Sequence, residues 1–137
     1  MITSELNVHD WVKVHNTCDR IIRVGKTTID VIGYLGIPAA SFHLAPIAIE
    51  PEMFQLNGFG NYPDLDGVAC YLHEDPDNLC ELQAYKEGEF WRFRIQRGPE
   101  ASVSIRARYV HELQHAMRLM GLHDMANNFK IKEGSNQ

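Results

Sequence analysis

Residues 81–98, ELQAYKEGEFWRFRIQRG, constrain the fold more than any other stretch of this chain. Trp91, Phe93 and Ile95 alternate with Arg92, Arg94 and Gln96. A period of two puts successive side chains on opposite faces of a strand, one covered and one wet. Two strands, about 79–85 and 89–96, flank Lys86-Glu87-Gly88, and Gly98-Pro99 ends the pair. The reading is an antiparallel hairpin with one buried face.

The remaining segments are read around that hairpin. In TCDRIIRVGKTTIDVIGY, 17–34, residues Ile21, Ile22, Gly25, Thr28, Ile29 and Ile32 recur at helical spacing, and Gly33 and Gly36 follow, which predicts a first helix. APIAI predicts a strand ending at Pro51, and residues 56–67 are loop by their Gly, Asn, Asp and Pro content. VACYL, 68–72, predicts a short buried strand, and HEDPDN, 73–78, a turn. A second helix is predicted over about 101–119, followed by a polar tail that is loose from about 122. Helix, strands, hairpin, helix is an α+β order, and 137 residues suit one domain spanning 1–137.

Charge and cysteine content exclude some functions. The formal net charge is −5, and the densest basic stretch is the alternating WRFRIQR, so direct readout of nucleic acid is not expected. Three cysteines, Cys18, Cys70 and Cys80, are an odd number for a disulfide scaffold. The N-terminus lacks the pattern of a signal peptide, and no apolar stretch is long enough to span a membrane. These features predict a monomer in a reducing cytoplasm, where thiols are available to metals.

The most chemically suggestive motif is HELQH, 111–115, on the second predicted helix. Residues i and i+4 lie about 40° apart around a helix and about 6 Å along it, so two imidazoles can converge on one ion. His111 and His115 would be ligands, and Glu112 would take a proton from a metal-bound water and return it to a leaving group. The plain alternative is a solvated His/Glu face. A catalytic site of this type needs a third ligand and an open position. Gly121 stands where the extended zincin pattern has a ligand, which leaves His123, Glu133 or a cysteine. Cys70, on a short apolar strand after a loop, is the preferred thiolate; Cys18 and Cys80 read as small buried hydrophobes.

A cysteine on a strand, then a hairpin, then HExxH on a late helix resembles the peptide deformylases over roughly 17–120. GIPAAS resembles the family's Gly-rich first motif, IEPEMF its segment after a strand, DGVACYL its cysteine motif, and VHELQHAMRLMG its third motif. The resemblance implies a small deformylase-like domain, with antiparallel strands around a C-terminal HExxH helix. It implies that Cys70, His111 and His115 hold one divalent ion, Fe²⁺ or Zn²⁺, with Ni²⁺ or Co²⁺ able to substitute. Glu112 would be the acid/base, and the Tyr71 N–H would serve the oxyanion. Ser41 or Phe42 stands where the family has a carbonyl-binding Gln, and of the two only Ser41 could donate. The implied substrates are N-formylmethionyl peptides of nascent chains, met near the ribosome exit, in a cellular or a virus-infected host cytoplasm.

Two other functions remain open. One is a different metallopeptidase using His123 or Glu133. The other is a binding module on the same fold, which the changed first and second motifs favour. His43 reads as a satisfied buried His, Met117, Met120 and Met125 as core filler, and Arg92 and Arg94 as a solvated strand face.

Overall fold

The computed structural model describes residues 6–15, 17–31, 34–38, 44–61, 70–75, 80–97 and 101–132. They fall into two compact units, Met1–Ala48 with Tyr109–Asn128, and Ile49–Arg108 with Phe129–Gln137. Strands and helices are both present and the sheets are antiparallel, so the chain is α+β.

The first unit contains β1 (Trp11–Val14), β2 (Thr17–Val24), β3 (Thr28–Val31), β4 (Tyr34–Pro38) and β5 (Leu44–Ala45). They form a five-stranded sheet in the order β4-β3-β2-β1-β5. Where a helix was expected over 17–34, residues 17–31 form the strand pair β2 and β3, Tyr34 begins β4, and residues 32–33 lie outside the described residues. The segment is dense in β-branched residues, which suit a pleated surface better than a helix. Gly25 and Lys26 interrupt it, and the Gly25 N–H donates to the Thr28 carbonyl at 2.8 Å to close the turn. Ile21 and Ile29 satisfied the helical spacing, yet they are buried from separate strands while Ile22 is 48% exposed. The core of this sheet gathers Leu6, Val12, Val14, Ile21, Ile29, Val31, Ile37 and Leu44.

The second unit opens with α1 (Pro51–Leu56), where a strand was expected to end. Pro51 at the first helical turn gives up no bonded N–H, so the residue that would stop a strand starts a helix. Then come β6 (Gly60–Asn61), β7 (Cys70–Asp75), β8 (Cys80–Glu87), β9 (Phe90–Arg97) and β10 (Ala101–Ala107), in sheet order β10-β9-β8-β7-β6. Of the turn expected at HEDPDN, residues 73–75 instead complete β7, and residues 76–78 lie outside the described residues.

The hairpin of β8 and β9 follows the alternation of its sequence. Leu82 pairs with Ile95 and Ala84 with Phe93 on the buried face, and Gln83 with Arg94 and Tyr85 with Arg92 on the other. Glu87 pairs with Phe90, leaving a two-residue loop whose first residue, Gly88, has φ +61°, a left-handed value that favours glycine. Phe54 packs on Trp91 at 4.8 Å and on Phe59 at 5.4 Å between ring centroids. Each such buried aromatic contributes about 1.5–3 kcal/mol.

The helix expected over 101–119 divides in two. Residues 101–107 are β10, paired along their length with β9, and only then does α2 (Val110–Leu119) begin. SVSIRA alternates, and its partner strand is one short connection away, so sheet pairing wins over helix. After Gly121, with φ +85°, a short α3 (His123–Asn127) follows. Of the tail expected to be loose from about 122, residues 122–132 carry buried anchors, Leu122, Ala126, Phe129 and Ile131, and residues 133–137 lie outside the described residues. Its polar composition hid apolar anchors spaced widely enough to escape a composition reading. Asn57 also grips the tail, donating to the Lys130 carbonyl and accepting the Lys130 N–H.

Candidate functional site

HELQH occupies the first turns of α2, in the first unit. The N-cap Tyr109 is extended, with φ −119° and ψ 154°. The Val110 N–H donates to the Ile47 carbonyl at 2.8 Å, which ties the helix start to a neighbouring strand-like segment. Val110, Leu113, Ala116 and Met117 are fully buried and seat α2 on its core.

The polar residues of the motif have separate fates. His111 is buried, with its ring parallel to that of Tyr109 at 6.1 Å and edge-on to that of His115 at 5.7 Å. Glu112 is exposed and turns back, its Oε1 accepting the Tyr109 N–H at 3.0 Å. A carboxylate there satisfies one of the free donors of a helix start and suits the positive end of the dipole. Gln114 is fully buried and uses both ends of its amide. Its Oε1 accepts the Trp11 N–H at 3.0 Å, and its Nε2 donates to the carbonyls of His9 and Ala126, each at 2.9 Å. One side chain thus joins α2 to β1, to the segment before it and to α3.

His115 belongs to a second tie. Its Nε2 lies 2.6 Å from Oδ2 of Asp10, and Asn7 Nδ2 stands 3.1 Å from the same nitrogen. Asp10 is completely buried. Its Oδ1 accepts from Arg118 at 2.6 Å, and its Oδ2 also accepts the Asn7 N–H at 2.8 Å. Arg118, one turn after His115, reaches the Val8 carbonyl and Asn127 as well. A buried carboxylate is tolerable because it is fully bonded and paired.

Two of the candidate metal-binding side chains of the motif are engaged within their own unit. Nε2 of His115 lies within hydrogen-bond distance of the Asp10 carboxylate, and Glu112 is engaged with its own helix start. Among the described residues, no three His, Cys, Asp or Glu side chains gather where one ion could be shared. Cys70 begins β7, opposite Tyr85, and belongs to the second unit. Tyr71 stands between Asn61 and Ala84, so its N–H lies in the sheet plane toward one of these neighbours. Ser41, Phe42, His43 and Glu133 lie outside the described residues. His123 is exposed at the start of α3. Cys18 is half-buried on β2 and Cys80 is buried on β8.

Compared with protein-family models, with curated proteins and with solved structures, the chain matches none of them.

Sequence reasoning missed Asp10, Asn7 and Arg118, because nothing in NVHDW announces a partner more than 100 residues away. Gln114 did carry a signal. It shares the apolar stripe of Val110 and Met117 at i, i+4 and i+7, and a polar residue in such a stripe must find buried partners. No helix among the described residues is long and apolar enough to cross a membrane.

Proposed function

We propose that this chain is a binding module and that HELQH is a brace within its first unit. The observation that carries this reading is the Asp10 tie, in which Nε2 of His115, a nitrogen that could hold an ion, lies 2.6 Å from a buried carboxylate. Gln114, in the middle of the motif, is spent in the same way.

A metallohydrolase that resembles peptide deformylase is the second reading. The observation that favours it is the placement of the His111 and His115 rings, edge-on at 5.7 Å on one helix. Under it His111 and His115 are ligands of Fe²⁺ or Zn²⁺, Glu112 is the acid/base, and N-formylmethionyl peptides are the substrates.

One assay separates the two. Formate release from a formyl-Met tripeptide is measured without oxygen, on folded protein supplied with Fe²⁺ or Ni²⁺, beside Glu112→Gln. The binding-module reading expects no release above the Glu112→Gln background. Release that disappears in Glu112→Gln would overturn it and establish the hydrolase.

A further inference from the structure

We propose that β10, the last strand of its sheet among the described residues, is a docking site for an extended peptide segment that alternates acidic and apolar residues. The proposal deepens the binding-module reading and rests on it.

Charge is the first ground. β9 and β10 carry Arg92, Arg94, Arg97 and Arg106 and no acidic residue, in a chain of net charge −5. The register sets Arg106 opposite Arg92, Ser104 opposite Arg94 and Ser102 opposite Gln96. Arg92 is largely neutralised, since its Nε bonds both oxygens of Glu87 at 3.1 and 2.8 Å. That bond holds the Glu87 carboxyl below, and the Arg92 guanidinium above, its usual range. Arg94 instead donates to Ser102 Oγ at 2.8 Å and to Gln96 Oε1 at 2.9 Å, both neutral. Arg106 lies over the Phe90 ring at 4.7 Å and is exposed. An arginine has five donors in a fixed fork, so both keep capacity for a carboxylate.

The second ground is apolar surface on the opposite face of the same strand. Val103 pairs with Ile95 and Ile105 with Phe93, so these two residues continue the core layer outward. The layer ends there with Val103 54% exposed, beside neighbours that are 2% and 0% exposed. An added strand would cover Val103 with its own apolar residues while its alternate residues faced Arg94 and Arg106. Backbone pairing along an open edge supplies affinity, and alternate side chains supply selectivity. A second copy of this chain fits less well, because pairing β10 with β10 would set two arginine rows on one face.

The test is fluorescence anisotropy on the full chain with a labelled decapeptide alternating Glu and Val. It is run beside a scrambled peptide, the same peptide N-methylated at alternate amides, and an oligothymidylate. Light scattering gives the mass of the protein alone. We expect the alternating peptide to bind best, to weaken with salt, and to lose about tenfold or more with Arg94→Glu/Arg106→Glu. N-methylation should abolish binding if a strand is added. Equal binding of the scrambled peptide, preference for the oligothymidylate, a dimer that excludes the peptide, or no binding would each overturn the proposal. Formate release is read separately, so failure here and failure of the binding-module reading remain distinguishable. Circular dichroism confirms that the double variant is folded, and Arg94→Lys/Arg106→Lys should recover part of the affinity.

Discussion

Replacing Gln114 with Leu is expected to cost about 3 kcal/mol or more of folding stability, measured by urea denaturation. The volume is nearly kept, so little of the loss would come from a cavity. It would come from the buried Trp11 N–H and Ala126 carbonyl and the part-buried His9 carbonyl, all of which Gln114 now satisfies. Each buried group left without a partner costs about 1–3 kcal/mol. The Glu112→Gln change gives the internal contrast. Glu112 is exposed and can be replaced by another acceptor, so that variant should lose only a few tenths of a kcal/mol. A catalytic helix with no bracing role would not separate the two so widely.

The second large effect is expected at Asp10. Arg118→Ala should lose about 3–5 kcal/mol, because it leaves a completely buried carboxylate without its guanidinium. Asp10→Asn should be nearly as costly, since the Arg118 side chain is only 15% exposed and would keep its charge. Combining Asp10→Asn with Arg118→Ala removes both charges, and the double variant should lose clearly less than the two single losses added. Thermal or urea unfolding of the four proteins measures this coupling. Additive losses would mean that the pair is not energetically linked.

These expectations concern residues whose roles were only partly legible beforehand. The 90–97 alternation was readable because each residue reports its own face, and the structure buries Trp91, Phe93 and Ile95 as the pattern requires. The 17–34 segment misled because Ile21 and Ile29 are compatible with either a helix or two strands. Deciding between them needed β-branched content and the Gly25 turn to outweigh spacing. Residues 101–107 misled for a related reason: a helix was extended back from HELQH across a stretch whose alternation belonged to β10. HELQH itself was visible at once, but its meaning depends on Asp10. A local pattern specifies which atoms a helix presents and leaves open which atoms a distant segment brings to them.

The most direct test of the bracing account is metal content together with thermal unfolding. Folded protein, purified and then incubated with Fe²⁺ or Zn²⁺, is analysed for bound metal after desalting, and its Tm is compared with and without a chelator. A ligand that binds only the native state must raise stability by mass action. The account predicts well under one ion per chain and a Tm that neither metal nor chelator shifts. One tightly held ion per chain, lost together with several degrees of Tm on chelation and absent from His115→Ala, would contradict it.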